Sequence, residues 1–193
     1  MARIGYKKGK YNKIDPITKK YAAITDGVPC LEKVIDEKFS GEFNSAELYA
    51  DDALAETDYS FKKGSLAITV ANDDDEKDAE LMGNTVNEGG EVVKMVGDTA
   101  PEFGYGHIVT KMVNGVRKYK VEFFPRVKFT KITTDAKTRG ESVEFGTTAI
   151  EGTVFPLDAE FNGMAAGTWE KHQTFATEAE AEAYLNECLT PVA

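Results

Sequence analysis

Two histidines, two cysteines and one acid-rich run are the residues of this 193-residue sequence whose types could do chemistry. His107 and His172 each fall inside an alternating, strand-like stretch beside no cysteine. Neither has a partner at the spacing of an H-E-x-x-H metalloprotease helix. Lone strand histidines are expected as ordinary surface or core residues. Cys30 and Cys188 stand too far apart for a metal knuckle or a C-x-x-C redox pair. They are expected as free thiols, small residues buried or half-buried. No G-x-S-x-G elbow provides a serine nucleophile. Gly104-Tyr105-Gly106 begins like a dinucleotide loop, but no third glycine follows and the chain continues as a strand. Gly9-Lys10 resembles the end of a P-loop, yet Ile4 holds the place of its first glycine and Tyr11 that of its Ser or Thr. The run Asp73-Asp74-Asp75-Glu76 suggests calcium but fails the EF-hand pattern, with Asp78 at the turn-glycine position and no glutamate at the twelfth. It is expected as a solvated loop feeding a helix N-terminus, where the dipole favours carboxylates. The 33 acidic residues put carboxylate pairs everywhere and single out no acid–base dyad. The sequence is therefore expected to carry no catalytic residues, no cofactor and no metal, and to be no enzyme.

The elements that would position these residues are mostly strands. Phe39, Gly41 and Phe43 alternate with Ser40, Glu42 and Asn44, and Leu66, Ile68 and Val70 with Ser65, Ala67 and Thr69. Gly89-Gly90 marks one hairpin, and Asn114-Gly115 marks a stronger one between Tyr105–Val113 and Val116–Phe124. Pro125 is expected to break the second strand, which resumes at Val127. Extended runs are expected over Glu141–Phe155 and Trp169–Phe175. A short helix is expected after a cap at Asp73, ending at Gly83. A second runs from the Thr177-x-x-Glu180 capping box along the stripe Ala181, Tyr184, Leu185 and Leu189, with Pro191 beyond it. No repeat and no Pro/Gly/Ser linker divides the chain. The expectation is a mainly β protein, a β-sandwich or open barrel of about eight or nine strands with one or two flanking α-helices. Residues 31–193 form the single domain, with a C-terminal helix over 177–189. Residues 45–60 are too acidic for a core strand and are expected as a long loop. Residues 1–30, tyrosine- and lysine-rich without a clean period, are expected as an extended arm.

Charge sharpens that division. The chain carries −10 overall, yet residues 1–20 hold seven basic residues against Asp15, a net +6. Residues 117–139, Arg126 among them, also carry a net +6. Such an arm can bind nucleic acid or dock on the acidic body of a neighbouring copy, with Tyr6 and Tyr11 as its aromatic anchors. Leu48, Tyr49 and Leu54 are apolar side chains that a merely solvated loop would not need. No stretch approaches the ~20 apolar residues of a membrane span, and Met1–Tyr6 lacks the apolar core of a secretory signal. The product is expected to be made and kept in a cytoplasm, without membrane insertion.

Six segments in order carry a resemblance over nearly the whole chain: Ala2-Arg3-Ile4-Gly5-Tyr6, Leu48–Glu56, Val113–Tyr119, Phe124–Phe129, Arg139–Gly146 and Thr174–Ala181. In this arrangement the sequence resembles the major tail tube proteins of long-tailed, siphovirus-type bacteriophages, the family common in phages and prophages of Gram-positive bacteria. The resemblance implies a tail-tube β-sandwich and a virion protein made in the host bacterium. It implies homo-hexameric rings, joined edge to edge and stacked into a tube, with the tape measure protein and tail terminator as further partners. Double-stranded DNA would pass through the lumen without specific binding, which an acidic wall favours by repelling phosphate. Tyr6, Tyr11, Leu48, Tyr49, Leu54 and Arg126 are then the expected self-assembly interface. The alternatives are a tube subunit of a DNA-free phage-like or secretion-type particle, and a stand-alone β-sandwich module that binds a cell surface.

Overall fold

The computed structural model describes residues 2–50, 53–71, 74–134 and 146–192; the side chains of Ala2, 46–50 and 53–58 are not among those described. Ten strands and two helices are seen there: β1 (Ala2–Lys13), β2 (Cys30–Leu31), β3 (Val34–Ala50), β4 (Ala53–Val70), α1 (Asp75–Met82), β5 (Thr85–Val86), β6 (Val92–Val93), β7 (Glu102–Val113), β8 (Val116–Thr134), β9 (Thr148–Val154), β10 (Lys171–Phe175) and α2 (Glu178–Leu189). The protein is mainly β, as the alternation predicts. One antiparallel sheet runs β2-β1-β7-β8-β9-β4-β3, with β10 also on β8, and β5 and β6 pair separately at the Gly89-Gly90 hairpin. The sheet curls until β3, its last strand, lies against β1 without pairing to it. The barrel is open at that seam.

The Asn114-Gly115 turn sets the central register. Both residues take positive φ, 50° and 81°, the geometry of a two-residue hairpin turn whose twist matches its strands. Val113 then faces Val116, and counting back puts His107 opposite Glu122. Pro125 does not end the second strand. β8 continues through it, and the register with β7 shifts between Phe103 and Tyr105 at the same level. There β8 also changes its other neighbour, from β10 over Tyr119–Phe123 to β9 over Val127–Thr134. A residue without an N–H suits a bulge where one partner strand gives way to the next.

Two cores lie on the two faces of this sheet. Inside the curl, Tyr11, Leu66, Ile68, Phe103, Tyr105, Phe124, Phe129 and Ile150 pack with Leu81 of α1. On the outer face, α2 lays Ala181, Leu185 and Leu189 on Ile108, Val121 and Phe123. The Thr177–Glu180 capping box forms as expected. The glycines of Gly104-Tyr105-Gly106 serve packing: a Cβ at Gly104 would stand 2.4 Å from the Tyr21 hydroxyl, and one at Gly106 2.6 Å from Leu185 Cδ1. The short helix α1 is capped by Asp74, one residue later than expected, and ends at left-handed Gly83; Asp73 lies outside the described residues, as does the start of the expected 141–155 strand.

Two expectations are corrected. Residues 2–13 are not an arm: β1 sits inside the sheet between β2 and β7, with Tyr11 only 1% exposed. The segment lacks a clean period because the ladder shifts twice, at Arg3/Gly5 and Lys7/Lys10, and each shift moves the side chains to the other face. The 45–60 segment is not a loop either. β3 and β4 pair from Val34↔Val70 to Ala50↔Ala53, so the acidic residues belong to a long hairpin. Acidity argues against a core strand, and these strands are not in a core: the last β4–β9 pair is Gly64↔Val154, and beyond it the ribbon has no third strand among the described residues.

Candidate assembly interface

Nine residues of β3, from Glu42 to Ala50, run roughly 30 Å past the sheet at ~3.3 Å each. A two-stranded ribbon of that kind is marginal in water by itself. Its base is braced by a column of rings. Phe124 in the barrel stacks on Phe39 at 4.8 Å, Phe39 on Trp169 at 5.8 Å, and Trp169 on Phe61 at 4.1 Å; Phe61 meets Phe43 edge-on at 5.6 Å. The column leads from the core to the surface, where Phe43 is 53% and Tyr59 66% exposed. Among the described residues β3 pairs with β4 alone, so its outer edge offers backbone groups for a further strand.

The six expected interface residues separate into two groups. Leu48, Tyr49 and Leu54 lie in the ribbon strands, paired Leu48↔Glu56 and Tyr49↔Leu54; their side chains are outside those described. Tyr11 is buried, Tyr6 half-buried, and Arg126 partly exposed, and each has partners within its own chain. Tyr11 is core, its hydroxyl 3.1 Å from Glu80 Oε2. Arg126 forms a two-pronged pair with Glu102 at 2.9 and 3.0 Å and also meets Asp158. Tyr6 stacks on His107 at 5.1 Å and shares a 2.8 Å hydrogen bond with the Tyr105 hydroxyl.

Part of the charge complementarity expected between copies is met within one. Lys7 reaches Glu178 at 2.6 Å, and Lys8 and Lys10 reach Glu182, all on α2. Arg3 reaches Glu122 at 2.7 Å. In the basic stretch 117–139, Lys120, Arg126 and Lys131 pair with Glu122, Glu102 and Glu151. The acidic surface that the basic N-terminal segment meets belongs to its own C-terminal helix.

His107 departs furthest from its expected ordinary role, while His172 is exposed beside Glu170 as foreseen. His107 is 4% exposed. Its Nδ1 lies 3.0 Å from Glu37 Oε1 of β3 and its Nε2 3.2 Å from Glu122 Oε2 of β8. With a carboxylate beside each ring nitrogen, the doubly protonated ring is favoured, because a neutral ring would set one bare nitrogen against a carboxylate. Burial alone would depress its pKa, but Glu122 and Glu37 outweigh burial and raise it to about 9. Burial in turn would raise Glu122, and the hydrogen bonds from His107 and Lys120 bring it down to about 2. Glu37 also accepts a 2.7 Å hydrogen bond from Tyr105. The hairpin register alone could have shown His107 opposite Glu122; nothing in the sequence announces that Glu37 joins them across the seam.

Cys30 is half-buried and Cys188 buried, both free thiols. Among the described residues no cluster of His, Cys, Asp and Glu could hold a metal ion, and no helix is long and apolar enough to cross a membrane. A 540 Å³ concavity, lined by Lys13, Lys19, Glu102 and Lys128 among others, contains neither histidine. No protein-family model and no curated protein matches the chain.

Proposed function

We propose that this protein is a self-assembling structural subunit, the major tail tube protein of a long-tailed bacteriophage. In this reading copies close into rings, six by the family pattern, and rings stack into a tube through which double-stranded DNA passes without specific binding. Its place is the virion, with the tape measure protein and tail terminator as partners, and it turns over no substrate. The observation that carries the reading is the β3–β4 ribbon: about 30 Å of hairpin with no third strand on the described chain, rooted in the core by a ring column. With no third strand among the described residues, another copy can supply the partner, and cyclic head-to-tail contacts satisfy open edges in a closed set. The ordered resemblance of six sequence segments supports the particular family. A tube subunit of a DNA-free particle uses the same surfaces.

Sedimentation velocity of the purified full chain tests this. Discrete large species that grow with concentration are expected. A monomer at every concentration would overturn it and favour the cell-surface module, for which exposed Phe43 and Tyr59 would be the contact rings.

A further inference from the structure

The barrel seam between β1 and β3 carries a buried charge array that assembly does not call for. Among the described residues, Glu37 is the only side chain of β3 with a polar contact to β1 or β7. It reaches across the seam to Tyr105 and His107, and His107 reaches on to Glu122. The charged and titratable groups facing the ring come from every strand around it. β1 gives Tyr6 and Arg3, β2 the Cys30 thiol near Tyr6, β3 Glu37, and β8 Glu122 and Lys120; β7 itself adds Tyr105 and Lys111.

The two carboxylates are not equally held. Glu122 has Arg3 at 2.7 Å and Lys120 beside it in addition to the ring. Glu37 has the neutral hydroxyls of Tyr105 and Tyr6 beside it, and the ring is its one cation. The 3.0 Å contact between Glu37 Oε1 and His107 Nδ1 is poorly directed, and neither atom has a geometric hydrogen-bond partner. Charge attraction, not an aligned N–H, holds Glu37 there.

We propose that protonated His107 is an ionic latch that closes the seam, pinning β3 against β1 and β7 through Glu37, and that loss of the ring proton opens the seam. On deprotonation Glu122 keeps two cations, while Glu37 becomes a buried carboxylate with tyrosine hydroxyls and no cation. An uncompensated buried charge leaves for water, and Glu37 takes the adjoining stretch of β3 with it. The rest of the sheet has no share in this cluster: β4 stays paired to β9, and α2 packs on the opposite face. Tyr6 and Tyr105 keep their protons, because burial raises both well above the ordinary tyrosine range. They do not compete as the titrating group.

Hydrogen exchange by mass spectrometry on the full chain, run at a dilution where sedimentation shows a monomer at both pH values, tests the latch apart from assembly. Protection factors, corrected for intrinsic rates, are compared at about pH 6 and about pH 10, on either side of the raised imidazole. Peptides covering Val34–Gly41 should lose protection about tenfold or more at the higher pH, while α2 peptides hold theirs. Glu37→Gln should lower Val34–Gly41 protection at both pH values and flatten the dependence, and His107→Gln should do the same. A loss shared equally by α2, or pH-independent protection of β3 in the wild type, would overturn the latch. So would an unaltered pH response in a folded Glu37→Gln chain.

Discussion

β1 and the β3–β4 ribbon begin as similar problems and end in opposite places. Each is strongly charged, carries aromatic side chains and lacks the signature of a core element. β1 is basic and finds its complement at home: Lys7, Lys8 and Lys10 meet Glu178 and Glu182 of α2, and Tyr11 fills the barrel. The ribbon is acidic from Glu47 to Asp58, with no lysine or arginine in that span, and among the described residues its strands pair with each other alone. Charge and aromatic content do not tell an arm from a strand. What separates them is whether the fold supplies a second pairing partner: β7 and β2 both pair with β1, while among the described residues no third strand pairs with the ribbon.

The largest effect should follow from removing the ribbon's end. Deleting Asp51–Asp58 is expected to abolish growth of large species in light scattering while the melting temperature of the monomer stays near the wild-type value. The mirror experiment on β1 should cost stability instead. Tyr11→Ala is expected to lose about 3–5 kcal/mol by urea unfolding, as for other large buried rings. Tyr59→Ala, on the exposed ribbon, should stay within about 0.5 kcal/mol. If the two substitutions cost the same, the contrast between the regions fails.

The seam gives the next effect. The folded His107 pKa of about 9 stands above its ordinary 6.5, so its stabilisation is complete below 6.5 and lost as pH rises through 9. The span corresponds to on the order of 3 kcal/mol. Glu122 is lowered from 4.5 to about 2, so its contribution is present above 4.5 and lost as pH falls toward 2. Stability from this cluster should therefore be flat between about 4.5 and 6.5 and decline on both sides. His107→Gln should remove the alkaline decline in a urea-midpoint series. The smallest effect belongs to the cap of α2: Thr177→Ala should cost about 1 kcal/mol without touching assembly.

Much of the sheet is legible in the sequence because local chemistry dictates it. Asn114-Gly115 admits positive φ, Thr177-x-x-Glu180 makes a capping box, and Gly83 ends α1 in a left-handed turn. The bulges in β1 erase its period, so a central strand looks like an arm. The ribbon is hard to read for another reason: beyond Gly64↔Val154 no third strand is described beside it, and its acidic sequence carries no alternation. Pro125 misleads for a related reason, since a proline that ends a flat strand is tolerated where β8 exchanges β10 for β9. Of the site, the His107–Glu122 pair follows from turn register alone. Glu37 arrives from 70 residues away by the curl of the sheet, and Trp169 joins the ring column from outside any strand.

Assembly requires the ribbon to find its partner in another copy of the chain. Negative-stain microscopy of the purified full-length protein, beside the Asp51–Asp58 deletion, tests that most directly. The account predicts rings and hollow tubes for the intact chain and single small particles for the deletion. Single particles from both, or tubes of normal length from both, would contradict it.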